Sequence, residues 1–78
     1  MQEKQNVFVT FEPDSSWIEG VIYHPDEQVL ILKTKSDKLY KYVNVPEKLF
    51  TDWVLAESAG HFYHENIKDK YDYTEEKP

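Results

Sequence analysis

Seventy-eight residues allow one core: a chain this short buries about 60% of the surface its unfolded form exposes, which excludes a second independent domain. The absence of cysteine excludes disulfide staples and thiolate metal sites, while twelve aromatic residues, 15% of the chain, supply the large rings from which a short sequence can assemble a core. The net charge is −6 and every one of the nine cations is lysine, a balance that excludes general affinity for double-stranded DNA, because that affinity comes from neutralising phosphates.

Residues 1–14 form an N-terminal segment with a charge sum of −2. Within it, residues 7–11 (Val-Phe-Val-Thr-Phe) have strand composition but precede Pro13, so their composition allows an additional edge strand. The first six residues lack an apolar stretch of the kind that opens a secretory leader, and the longest unbroken apolar run, Val29–Leu32, is far short of the ~20 residues a membrane span needs. The expected location is the cytoplasm, with no membrane partner.

Three segments rich in β-branched and aromatic residues follow: 17–24, 29–35 and 39–45. They read as strands, separated by the turn residues Pro25-Asp26-Glu27-Gln28 and by Ser36-Asp37-Lys38. Pro46 changes the pattern. Leu49, Trp53 and Ala56 recur at helical spacing with Phe50 and Val54 beside them, which predicts an amphipathic helix of about three turns opened by Pro46. Gly60 is expected to stop that helix from the C′ position. Tyr63 and Ile67 then share one face of a short second helix over 61–69. Tyr71 and Tyr73 lie in an alternating, extended stretch, and residues 74–78 form a frayed tail. The fold class is α+β: a three-stranded antiparallel meander followed by one long and one short helix on one face.

The loop between the second and third strands decides which side chains share a face, because a slip of one residue flips a strand. A three-residue loop over 36–38 pairs Thr34 with Tyr40 and Leu32 with Tyr42. It gathers Leu32, Thr34, Tyr40 and Tyr42 under the helices and sends Lys33, Lys35 and Lys41 to the other face. It asks Lys38 to take a left-handed conformation.

With the elements in place, an ordered series of residues resembles the KTSC domain family. It begins with Ser15-Ser16-Trp17-Ile18, Tyr23-His24-Pro25 and Leu30-x-Leu32. It continues with the central Tyr40-Lys41-Tyr42, Val45-Pro46, and Ala56-x-Ser58-x-Gly60-x-Phe62-Tyr63 with Ile67 and Tyr71. The resemblance covers residues 15–73, nearly the whole chain. The family is named for a C-terminal extension of some lysyl-tRNA synthetases and also occurs as small stand-alone proteins in bacteria and phages, so the resemblance implies an RNA-binding accessory domain. The sequence departs from the family pattern at Asp37-Lys38, where glycines are common, at His64, where asparagine is common, and at Lys68 and Lys70, where arginine is common.

The candidate sites each have a plain structural explanation. Tyr40 and Tyr42 could stack bases, but the helix over 46–57 needs an apolar sheet face, and these rings supply it. Lys33, Lys35 and Lys41 form the candidate ligand face; as a solvated strand face they would equally guard an edge. His61, His64, Glu57 and Glu65 would need an unbroken helix and further converging ligands to hold a metal, so no metal or other cofactor is expected. Ser58 and Gly60 could present free N–H groups to an anion, but capping by Ser58 uses the same groups. No phosphate loop, nucleophile elbow or cysteine is present, Ser15-Ser16 lacks a placed base, and so short a chain has little room for a deep pocket, so no enzyme is expected. The composition points to a small non-enzymatic adaptor that binds a protein partner through the half-apolar sheet face. The alternative is RNA binding, which the charge disfavours.

Overall fold

The computed structural model describes residues 8–76. Five strands form one antiparallel sheet in sequence order: β1 (Val9–Phe11), β2 (Ile18–His24), β3 (Val29–Thr34), β4 (Leu39–Tyr42) and β5 (Tyr73–Glu76). Two helices, α1 (Glu47–Leu55) and α2 (Ala59–Asn66), lie between β4 and β5 in the chain. The expected meander is therefore β2–β3–β4, and it carries an extra strand on each edge. β1 pairs with β2 through Val9↔Tyr23 and Phe11↔Val21. β5 pairs with β4 through Tyr42↔Tyr73 and Leu39↔Glu76, so residues 74–76 are strand rather than frayed tail. Val7 and residues 77–78 lie outside the described residues.

One sheet face is covered. Val21, Tyr23, Leu30, Leu32 and Tyr42 meet Phe50 and Trp53 of α1 and Ala59 and Tyr63 of α2 in a single core. Rings do most of the filling: Tyr23 stacks on Phe50 with centroids 4.9 Å apart, and its hydroxyl donates to the Val45 carbonyl. Leu30, Leu32 and Thr34 alternate with exposed or half-buried Ile31 and Lys33, the period expected of a sheet with one face in the core.

The β3–β4 register differs from the sequence expectation by two residues. Leu32 faces Tyr40 and Leu30 faces Tyr42. The loop is Lys35-Ser36-Asp37, closed by Thr34 N–H donating to the Lys38 carbonyl at 2.9 Å and by Lys38 N–H donating to Thr34 Oγ1 at 3.1 Å. Asp37, at φ 65°, takes the left-handed conformation instead of Lys38. Aspartate enters that region more readily than lysine because its short polar side chain bonds locally. The slip is even, so each side chain within the paired strands keeps its expected face, whereas Lys35, beyond the end of β3, does not.

The helix boundaries also shift. Pro46 is the extended residue before α1, at φ −70° and ψ 152°, rather than its first helical residue. α1 ends at Leu55, and Ala56 returns to extended geometry at ψ 147°. Gly60 does not stop α1; it lies inside α2. Ser58 starts α2, its Oγ accepting from His61 N–H at 3.2 Å. Trp53 Nε1 donates to the Ala59 carbonyl at 3.0 Å and so ties the two helices together.

Candidate functional site

Where the turn end of β3–β4 faces the strand end of β2 and helix α2, an open cleft of about 780 Å³ remains. It is larger than so short a chain was expected to hold. Its position follows from local chemistry. Ser15 Oγ accepts from Trp17 N–H and Ile18 N–H, both at 3.2 Å, and this turn delivers Trp17 to the cleft as β2 begins. Trp17 stands edge-on to Tyr63 with centroids 5.0 Å apart. The opposite wall is β4 with β5, where Tyr73 packs against Tyr40 at 5.7 Å and Tyr42 at 5.2 Å.

Two buried rings bring their hydroxyls together in the cleft lining. Tyr42, 2% exposed, and Tyr63, 9% exposed, hold their oxygens 2.6 Å apart. Burial pushes the Tyr42 hydroxyl far above the usual phenol value, and its hydrogen bond to Tyr63 adds to the shift. Burial also raises Tyr63, outweighing the bond from Tyr42, which acts in the other direction. Both groups therefore stay protonated at neutral pH. They can exchange hydrogen bonds with a ligand, but neither is available as a phenolate base or nucleophile.

Around the rings stand three ammonium groups, on Lys35, Lys38 and Lys68, with His64 and a single carboxylate, Asp69. Lys35 Nζ is anchored to the Ser15 carbonyl at 2.8 Å. Lys38 and Lys68 make no side-chain hydrogen bond or ion pair among the described residues. The cleft thus combines partly exposed rings (Trp17, Tyr40 and Tyr73) with an excess of positive charge, although the chain as a whole carries −6.

The sequence-derived lysine trio is divided. Lys33 and Lys41 stand on the uncovered sheet face, Lys33 with its Nζ 3.9 Å from Glu19 Oε1. β3 ends at Thr34, so Lys35 leaves the strand alternation and reaches the cleft. Tyr42 is in the core with its hydroxyl at the cleft floor, whereas Tyr40 is half-buried in the wall. Ser58 caps α2 from an exposed position, and Gly60 lies beneath Trp17, where an added Cβ would stand 3.6 Å from Trp17 Nε1. His61 pairs with Glu65 at 3.4 Å, while His64 turns toward Trp17 and Tyr63. Among the described residues, no three His, Asp or Glu side chains converge on a point that could hold a metal. Lys38, Lys68, Trp17 and Tyr73 are the cleft residues that sequence reasoning missed as a site, because they come from four separate segments.

A family model described as the KTSC domain matches residues 14–71. The chain belongs to the KTSC domain family. A small protein of Tsukamurella paurometabola is 38% identical over 58 residues, covering 74% of this chain and 87% of that one. A lysine–tRNA ligase of Trichormus variabilis is 30% identical over 66 residues, which is 85% of this chain but 12% of the ligase. The crystal structure of a KTSC domain protein from Yersinia pestis superposes with a TM-score of 0.82 at 27% identity, covering 90% of this chain and 99% of the other. Both edge strands, β1 and β5, fall outside the span of the KTSC model, so the Tyr73 wall of the cleft is built by residues beyond it. Among the described residues, no helix is long and apolar enough to cross a membrane.

Proposed function

We propose that this KTSC domain is a non-enzymatic accessory module that binds single-stranded RNA in the cleft. The observation that carries this reading is the conjunction of partly exposed rings with Lys35, Lys38 and Lys68 in one concavity. Single-stranded nucleic acid is held by this combination, with bases stacking on aromatic faces and ammonium groups meeting phosphates. The net charge of −6 opposes RNA binding by the chain as a whole, but the cleft lining itself holds Lys35, Lys38 and Lys68 against one acid, Asp69. Asp26 and Glu27 sit in the β2–β3 turn, and Glu47 opens α1, next to Val45, whose N–H bonds the Gln28 carbonyl at 2.9 Å. That end of the sheet is opposite the Lys35 and Lys38 turn. The relationship to a lysine–tRNA ligase supports the same reading.

Fluorescence anisotropy with short labelled RNA tests it. Binding is expected at low salt, to weaken with a shallow salt dependence reflecting the few lysines of the cleft, and to be absent with duplex DNA at physiological salt. The double variant Lys38→Glu/Lys68→Glu should lose binding while keeping its circular dichroism spectrum. RNA binding unaffected by these changes would move the site elsewhere.

The uncovered sheet face supports a second reading, a docking surface for a protein partner. Phe8 and Ile22 are 55% and 37% exposed there, beside half-buried Ile31, Leu39 and Val43. A photo-crosslinker at position 31 distinguishes the two: an adduct to protein favours docking, whereas an adduct to RNA or none at all counts against it.

A further inference from the structure

We propose that the cleft receives the end of an RNA strand, a terminal nucleotide carrying a phosphomonoester, rather than the middle of a strand. This rests on the RNA-binding reading of the same cleft and goes beyond it in naming what is recognised. The first ground is size. A volume of about 780 Å³ falls in the range of small-ligand sites, about 300–1,000 Å³. Grooves that track internal single strands extend over roughly 4–16 nucleotides per module.

The second ground is charge. Three lysines, Lys35, Lys38 and Lys68, line the cleft against one acidic residue, Asp69, with Lys35 Nζ also donating to the Ser15 carbonyl. Asp37 in the loop itself and Glu75 and Glu76, which face Tyr40 and Leu39 across the β4–β5 ladder, lie near but are not among the lining groups. An internal phosphodiester offers one negative charge to this surplus, whereas a phosphomonoester carries about −1.5 to −2 near neutral pH. Lys35 and Lys38 flank the β3–β4 turn, and the Tyr40–Tyr73 ring pair follows farther along β4. A phosphate at the turn end would leave its nucleoside against those rings.

The third ground is an unused proton. Tyr42 and Tyr63 have two O–H protons between them and share one hydrogen bond. Whichever hydroxyl donates, the other proton has no acceptor among the described residues, and both residues line the cleft. A phosphate oxygen supplies the missing acceptor, and the two phenols, kept protonated by burial, do not repel its charge.

The test compares one RNA oligomer, labelled at an internal base, in four forms: with a 5′-phosphate, with a 3′-phosphate, with hydroxyls at both ends, and circularised. Binding is expected to one or both phosphorylated forms, the two arms showing which end is read, and to weaken about tenfold or more without the terminal phosphate. Adenosine monophosphate should compete and adenosine should not. Lys38→Glu/Lys68→Glu should lose binding of the phosphorylated forms, while Lys33→Glu/Lys41→Glu, on the opposite sheet face, should preserve both that binding and its advantage over hydroxyl-ended RNA. Circular or hydroxyl-ended RNA binding as tightly as the phosphorylated forms would overturn the terminal-nucleotide proposal and leave RNA binding standing. Failure of all four forms to bind would overturn both.

Discussion

The hydroxyl oxygens of Tyr42 on β4 and Tyr63 on α2 lie 2.6 Å apart, joining sheet to helix at the floor of the cleft. Phenylalanine at either position removes one partner and leaves the other hydroxyl buried without it, which should cost on the order of 1 kcal/mol. The double variant Tyr42→Phe/Tyr63→Phe removes both polar groups and keeps the shape, so its cost should be less than the sum of the two. Urea denaturation of the four proteins checks this. Strict additivity would mean that the two hydroxyls do not interact.

Alkaline pH should destabilise the fold through the same groups. Tyr23, Tyr42 and Tyr63 are all raised, in each case chiefly by burial, with Glu47 adding to the shift at Tyr23. In the unfolded chain tyrosine ionises near pH ~10. The folded state holds these protons to higher pH, so its advantage is fully present below ~10 and is lost as pH rises above that value through the folded-state values. Stability measured across this range should fall steeply, and less steeply in Tyr42→Phe/Tyr63→Phe. An unchanged slope in that variant would count against the burial of these rings.

Trp53 is fully buried, packs edge-on to Phe11 at 5.8 Å and donates to the Ala59 carbonyl. Trp53→Ala should cost about 3–5 kcal/mol, a large part of the ~5–15 kcal/mol typical of a whole domain. Trp53→Phe keeps most of the apolar surface but strands the carbonyl, so about 1–3 kcal/mol is expected. Denaturation midpoints for the two should differ clearly. If phenylalanine is as damaging as alanine, the indole hydrogen bond rather than ring volume joins α1 to α2.

The central meander was legible because its strands carry the usual signals: β-branched and aromatic runs bounded by turn residues. Face assignment survived the register slip because the slip was two residues. The slip itself arose from side-chain chemistry that periodicity does not report, the Thr34 hydroxyl bonding Lys38 N–H and fixing Asp37 as the left-handed residue. β5 carried almost no signal. Tyr-Thr-Glu-Glu is exposed along its whole length, and main-chain pairing with β4 is what organises it.

The cleft was less legible than the fold. Lys68 is distant in the chain from Lys35 and Lys38, and the three come together only once β3 stops at Thr34 and α2 packs beside the turn. The alternation that grouped Lys35 with Lys33 and Lys41 holds within a strand and lapses where the strand ends. Trp17 did carry a signal, the serine pair before it, which is a turn-forming arrangement and positions the ring. Lys68 was visible as a departure from the family pattern, but only the fold shows that it joins Lys38.

Gly60 separates the sequence expectation from the observed structure most sharply. A glycine that stops a helix at C′ takes a left-handed conformation, and alanine there is strained. In the fold, Gly60 is the second residue of α2 and has no positive φ. A Cβ would stand 3.6 Å from Trp17 Nε1, an ordinary contact. Alanine is the better helix former by about 0.5–1 kcal/mol, so Gly60→Ala should raise the denaturation midpoint modestly. Gly60→Leu should not share the gain, because the added side-chain atoms must displace Trp17 from the cleft wall. The Trp17 indole would report that displacement as a change in fluorescence in the leucine variant and not in the alanine one. A Gly60→Ala variant destabilised by as much as it is expected to gain would place Gly60 in the left-handed region after all and start α2 after it.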